Sequence, residues 1–116
     1  MENFWKLKVI HFAHQLVKEI YKITVDFPDS EKYGLVSQMR RAAVSVVANL
    51  VETTKRKSVK DKINFHNIAN GSLEELKYYL VLSVDLEYLK CENGKRLNEL
   101  CRKIGAMITG LNKSIQ

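Results

Sequence analysis

His11 and His14 lie three residues apart and are the nearest thing in this chain to a metal-ligand pair. On a helix they would share a face, and neutral imidazoles are good zinc ligands. No carboxylate or cysteine stands at matching spacing beside them, and Glu-x-x-His, the ligand pattern of di-iron bundles, does not occur. His66 has Asn67 and Asn70 for company, with no serine or cysteine nucleophile flanked by a base and an orienting group. A glycine loop for phosphates is also missing. His11 and His14 therefore read as surface or partly buried residues, and neither an enzyme nor a bound metal or cofactor is expected. Tyr78, Tyr79 and Tyr88 read as packing residues with polar tips rather than platforms for bases.

What the chain does carry is charge. Between residues 55 and 62 stand Lys55, Arg56, Lys57, Lys60 and Lys62, opposed by Asp61 alone. Such a cluster is either a solvated basic turn or a phosphate contact site. The whole chain has a formal charge of +6 and a pI near 9.4, which favours polyanionic partners.

Those residues need elements to position them. A chain of 116 residues is one domain, 1–116, with room for one modest core. With 46% hydrophobic and 28% charged residues it is globular rather than disordered. One proline, Pro28, and five glycines leave room for long helices. Cys91 and Cys101 lack metal-site or disulfide-framework spacing and read as free thiols of a reducing compartment. The first residues lack the order of a signal peptide, and the longest mostly apolar stretch, 42–51, is half a membrane span. A cytoplasmic protein with no membrane contact is expected.

Apolar residues spaced three and four apart predict four helices and no strand. The first runs from about Trp5 to Val25 and stops before Phe27-Pro28. The second begins after Ser30 or after Gly34 and ends near Thr54. A capping box, Ser58-Val59-Lys60-Asp61, opens the third, which reaches about Leu89. A second box at Ser72 permits a break after Gly71, but the apolar stripe keeps phase, so one long helix with Gly71 as a close-packing site is preferred. Cys91-Glu92-Asn93-Gly94 reads as a turn, and the fourth helix spans about Lys95 to Ile115. Short connections between such helices predict an all-α, antiparallel, up-down-up-down four-helix bundle.

The second helix carries more than one apolar face. Leu35, Met39, Ala42, Ala43, Val46 and Leu50 form one, and Val36, Val44, Val47 and Val51, with Ala48, another. The second face is buried either within the bundle or against another subunit, with Val44, Val47 and Val51 as the interface. Between the faces runs a polar stripe, Gln38, Arg41, Ser45, Asn49 and Glu52. If the stripe is buried, Arg41 needs a carboxylate, for which Glu75 and Glu52 are candidates. With Ser72 and Glu75 of the third helix it would form a structural polar network that fixes register.

These residues also carry a resemblance. Phe27-Pro28, Glu31-x-Tyr33-Gly34-Leu35, Gln38-x-x-Arg41-Ala42-Ala43-x-Ser45, Asn49-x-x-Glu52 and Ala69-x-Gly71-Ser72-Leu73-x-Glu75-Leu76 resemble the proteins encoded in intervening sequences of bacterial 23S ribosomal RNA genes. The same group is similar to the accessory variability proteins of diversity-generating retroelements. The resemblance implies an antiparallel four-helix bundle and a homopentamer. From the retroelement proteins it implies nucleic acid and a reverse transcriptase as partners. The chain departs from the family where Glu52-Thr53 replaces a Glu-Gly pair and where Ile10 replaces a tryptophan. Two functions follow from different classes: a non-enzymatic, self-assembling nucleic-acid-binding accessory, or an oligomeric protein-interaction scaffold with no nucleic-acid role.

Overall fold

The computed structural model describes residues 3–116. Four α-helices follow one another: α1 (Lys8–Thr24), α2 (Leu35–Thr53), α3 (Val59–Asp85) and α4 (Cys91–Ile115). Short 3-10 turns at Asn3–Lys6 and Asp29–Glu31 precede α1 and α2. Each helix packs on its two neighbours in the ring α1-α2-α3-α4. Neighbours run in opposite directions. Met39 near the start of α2 meets Ser83 near the end of α3, and His66 early in α3 meets Asn112 late in α4. Glu19 late in α1 pairs with Arg96 early in α4 at 3.1 Å. The result is the antiparallel up-down-up-down bundle that the spacing predicts.

The apolar stripes define the core. Ile10, Ala13, Leu16 and Ile20 of α1 are fully buried, as are Met39, Ala43 and Val46 of α2, with Leu50 nearly so. Leu73, Leu76 and Leu80 of α3 meet Leu97, Cys101, Ile104 and Ile108 of α4. Each such aliphatic side chain contributes about 1.5–3 kcal/mol by leaving water. Polar atoms in this interior are matched: Ser83 donates to the Tyr79 carbonyl, and the His66 ring bonds the Asn112 side chain. No buried side-chain nitrogen or oxygen among the described residues lacks a partner.

Helix ends differ from the sequence expectation in instructive places. α1 starts at Lys8 rather than Trp5, because Leu7 is extended and Trp5 lies in the preceding 3-10 turn. There its ring packs against both His11 and His14, and the His11 ring bonds the Trp5 carbonyl. α2 begins after Gly34, with the Glu31 carboxylate accepting from the backbone N–H of Leu35 at 3.2 Å. A Cβ at Gly34 would fall 2.8 Å from that carboxylate, so the spacing Glu31-x-x-Gly34 is what allows the cap. Ser58 caps α3 as its capping box predicts, accepting from Asp61 N–H at 3.0 Å.

The α3–α4 connection is the main correction. Cys91-Glu92-Asn93-Gly94 is not a turn but the first turn of α4. α3 ends at Asp85, and the chain reverses over Leu86–Lys90 with Glu87 at φ 63°. The amide of Tyr88 reaches back to the Ser83 carbonyl and that of Glu87 to Val84, a Schellman closure without its usual glycine. Gly94 serves packing instead, since a Cβ there would lie 2.6 Å from Val84 Cγ2. Gly71 lies mid-helix in an unbroken α3 and is not a close-packing site, because an added Cβ meets nothing within 4 Å.

Exchanges at these positions should therefore move stability in opposite directions. Gly71→Ala removes a helix-interior glycine at no steric cost and should stabilise by about 0.5–1 kcal/mol. Glu87→Gly relieves a left-handed backbone and should stabilise by about 1 kcal/mol. Gly94→Ala drives a methyl into a stiff valine and should destabilise by about 1–3 kcal/mol. Thermal midpoints of the three variants check all three signs.

Candidate nucleic-acid interface

Antiparallel packing gathers the start of α1, the end of α2, the start of α3 and the end of α4 at one end of the bundle. Lys6, Lys8, Lys55, Arg56, Lys57, Lys60, Lys62 and Lys113 all belong to these segments, and Glu52 and Asp61 are the acids among their described residues. At the opposite end Glu19, Asp26, Asp29, Glu31, Asp85, Glu87 and Glu92 balance Lys22, Lys32, Arg40, Arg41, Lys90, Lys95 and Arg96. The excess positive charge is thus polarised along a body 43 Å long and about half as wide.

Within the basic end, the five cations singled out by the sequence are not equivalent. Lys55, Lys57 and Lys60 are exposed and Lys62 is half-buried; none of the four forms an ion pair among the described residues. Arg56 differs. Its guanidinium pairs with Glu52 at 2.5 Å and lies 4.8 Å from the centre of the Phe65 ring. That contact ties the end of α2 to the first turns of α3, and as a half-exposed i,i+4 pair it is worth about 0.3–0.5 kcal/mol. Arg56 positions the turn, and the lysines supply its unmatched charge. Sequence reasoning missed Lys6, which shares an open cleft with Lys55, Phe4, Leu7 and Val51. No spacing rule links positions 6 and 55; only the packing of the N-terminal turn on α2 brings them together.

The polar stripe of α2 divides. Asn49 donates from Nδ2 to the carbonyl and hydroxyl of Ser45 at 2.8 and 3.1 Å, and Ser72 of α3 donates to the Ser45 hydroxyl at 2.8 Å. These three residues bridge α2 and α3. Glu52 turns to Arg56 instead. Gln38, Arg41 and Glu75 are exposed, and neither Arg41 nor Glu75 forms an ion pair among the described residues. The valine face divides as well. Val36 is buried, and Val47 and Val51 pack half-buried on the chain's own core, so only Val44, 43% exposed, looks outward. Val36, Val47 and Val51 therefore cover the side of the core next to α1, a shoulder that a flat reading of helix two does not separate from an outer face.

The thiols sit in contrasting places. Cys91 is exposed at the start of α4, and Cys101 is buried in the core. Burial pushes the Cys101 thiol from its ordinary 9.0 up to about 12, against the nearby Lys77 ammonium, which pulls it down. Near Tyr88 the Glu31 carboxylate accepts the phenolic proton at 2.9 Å and holds that hydroxyl above its usual range. The described residues include no cluster of three or more histidines, cysteines or carboxylates able to hold a metal ion. Their helices include none long and apolar enough to cross a membrane.

Fold and site together define a four-helix bundle whose surface chemistry is that of charge. Residues 5–110 match the family described as 23S rRNA-intervening sequence protein, and the chain belongs to that family. A solved structure from Bacteroides thetaiotaomicron, described as a protein of unknown function from the S23 ribosomal protein family, is 26% identical and superposes with a TM-score of 0.81. The likeness covers 90% of this chain and 98% of that one. No curated protein matches the chain. None of these likenesses indicates an enzyme family.

The contrast between the thiols is open to measurement. An alkylating reagent at pH 8 should modify Cys91 within minutes and leave Cys101 protected until the chain unfolds, as peptide mass mapping would show. The folded state holds the Cys101 proton more tightly than the unfolded state. Stability from this group is therefore complete below pH 9 and lost as pH rises from 9 toward 12. Equal labelling of the two cysteines in the folded protein would contradict the buried placement.

Proposed function

We propose that the protein is a non-enzymatic, self-assembling helical bundle that binds nucleic acid without sequence preference, as a cytoplasmic ribonucleoprotein accessory. The carrying observation is the collection at one end of the bundle of lysines that form no ion pair among the described residues, from segments distant in sequence. Phosphates neutralised there release their counterions, which drives binding irrespective of base. No set of side chains arranged to read base edges accompanies the lysines, so different sequences should bind alike. The family's name places its members with ribosomal RNA genes, and the solved relative carries a ribosomal-protein description; both favour RNA as the polyanion. A reverse transcriptase as partner rests on the retroelement resemblance alone.

Self-assembly is the second part of the reading. Val44, Ile68, Tyr78 and Val81 leave large apolar groups partly in water on α2 and α3. Together with the pentamer implied by resemblance, these support a ring that repeats the basic end. Repetition would let weak contacts act together on one strand, so affinity would rise with strand length.

Two measurements test the reading. Light scattering after size exclusion should return a mass several times 13.4 kDa, and a monomer at micromolar concentration would contradict assembly. Fluorescence anisotropy with labelled RNA and DNA should show log affinity falling linearly with log salt, with a slope of about −3 to −4 on duplex DNA for roughly four phosphate contacts. Lys55, Lys57 and Lys60 form no ion pair among the described residues, so replacing them by serine should leave the fold intact, weaken binding and flatten the slope by about 2–3. Absence of binding at low salt, or binding indifferent to that triple replacement, would favour the protein-interaction scaffold.

A further inference from the structure

A second concentration of cations lies away from the basic end. The last turn of α1, the α1–α2 connection and the first half of α2 enclose an open groove of about 600 Å³, a volume suited to a nucleotide-sized ligand. Lys32, Arg40 and Arg41 line it together with Tyr21 and Tyr33, and no carboxylate does. Glu31 is adjacent in sequence, but its two oxygens are committed to the Leu35 amide and the Tyr88 hydroxyl.

The three cations have different tasks. Arg40 is structural: its Nε donates to Thr24 Oγ1 at 3.0 Å, and its guanidinium lies 4.5 Å from the centre of the Tyr21 ring, which closes the end of α1 against α2. Arg41 is exposed and forms no ion pair among the described residues. Among the described residues Lys32 forms no ion pair, and the Tyr33 ring centre lies 5.5 Å from its ammonium. Tyr33 is itself 87% exposed, so its ring packs on almost nothing in its own chain. Like charges that share a groove without a carboxylate repel one another, and an anion removes that repulsion. A solvent-facing aromatic ring between cations is the pairing that single-stranded nucleic acids exploit, with rings for bases and cations for phosphates.

We propose that this groove seats an unpaired nucleotide of a single-stranded nucleic acid, with Tyr33 stacking on the base and Arg41 and Lys32 holding its phosphates. The inference rests on the nucleic-acid reading above and adds strand selectivity to it. A duplex keeps its bases stacked inside and offers no free face to Tyr33. Duplex binding would then depend on the basic end alone, and single-strand binding on both regions, joined along α2.

The test compares a labelled oligo-uridine with a labelled DNA duplex of equal length by fluorescence anisotropy. Tyr33→Ala should weaken oligo-uridine binding about five- to a hundredfold and leave duplex binding unchanged, while Tyr33→Phe, which keeps the ring, should retain both. Arg41→Gln should weaken oligo-uridine binding and reduce its salt slope by about 0.7, with the thermal midpoint unmoved because Arg41 has no partner to lose. Serine at Lys55, Lys57 and Lys60 should weaken both probes. If the groove variants leave oligo-uridine binding intact while the turn variant reduces duplex binding, the groove proposal fails and the basic end survives. The converse result would sink the basic end and leave the groove standing. Failure of the unmodified protein to bind oligo-uridine overturns the groove proposal. So does a fall in assembly mass on Tyr33→Ala or Arg41→Gln, because the groove would then be a contact between subunits.

Discussion

Glu31 uses both carboxylate oxygens to join parts of the chain far apart in sequence. One accepts from the first amide of α2, and the other accepts from Tyr88 in the α3–α4 connection. The first bond fixes where α2 starts and so sets the phase of every apolar residue along it. The second ties the entry to α2 to the reversal between α3 and α4, while Phe27 packs 5.4 Å from the Tyr88 ring centre. Gly34 is part of the device, since any side chain there would displace the carboxylate. Both helical hairpins are thereby registered against each other at the end where acids and bases balance. Among the described residues, the other end has no comparable clasp beyond Arg56 with Glu52 and Phe65, and its lysines form no ion pair.

Core and architecture were legible because a bundle is written in a single period. The buried residues of α1, and those of α4 other than Gly94, keep the three-and-four spacing read from the sequence, and the capping box at Ser58 marks the start of α3 to the residue. The turn between α3 and α4 was misplaced for a physical reason. Gly94 looked like a reversal signal, but the reversal uses Glu87 in a left-handed conformation that costs an ordinary residue about 1 kcal/mol. Hydrogen bonds and packing around Tyr88 and Leu89 hold it there, and these depend on residues far away in sequence. Gly94 had the less conspicuous task of admitting Val84. His66 was missed as a core residue because its partner, Asn112, lies on another helix.

The basic turn at 55–62 was equally visible, but its internal division was not. Charge counting treats Arg56 and Lys57 alike, whereas packing assigns one to Phe65 and leaves the other in water. Similar sorting separates the stripe of α2: Ser72 of α3 donates to Ser45, to which Asn49 also donates, and Arg41 is left exposed. Periodicity places residues on a face. It does not say which of them reaches a partner, because that depends on the length and direction of side chains from a second helix.

The unequal ends also bear on how quickly a partner is met. A body with positive charge gathered at one end and balanced charge at the other carries a dipole along its axis. In the field of a polyanion such a body is turned as well as attracted, so fewer encounters arrive with the wrong end foremost. The orienting torque acts over a distance comparable to the screening length, about 8–10 Å at physiological ionic strength. Added salt should therefore lower the association rate constant, separately from any change in how long the complex lasts.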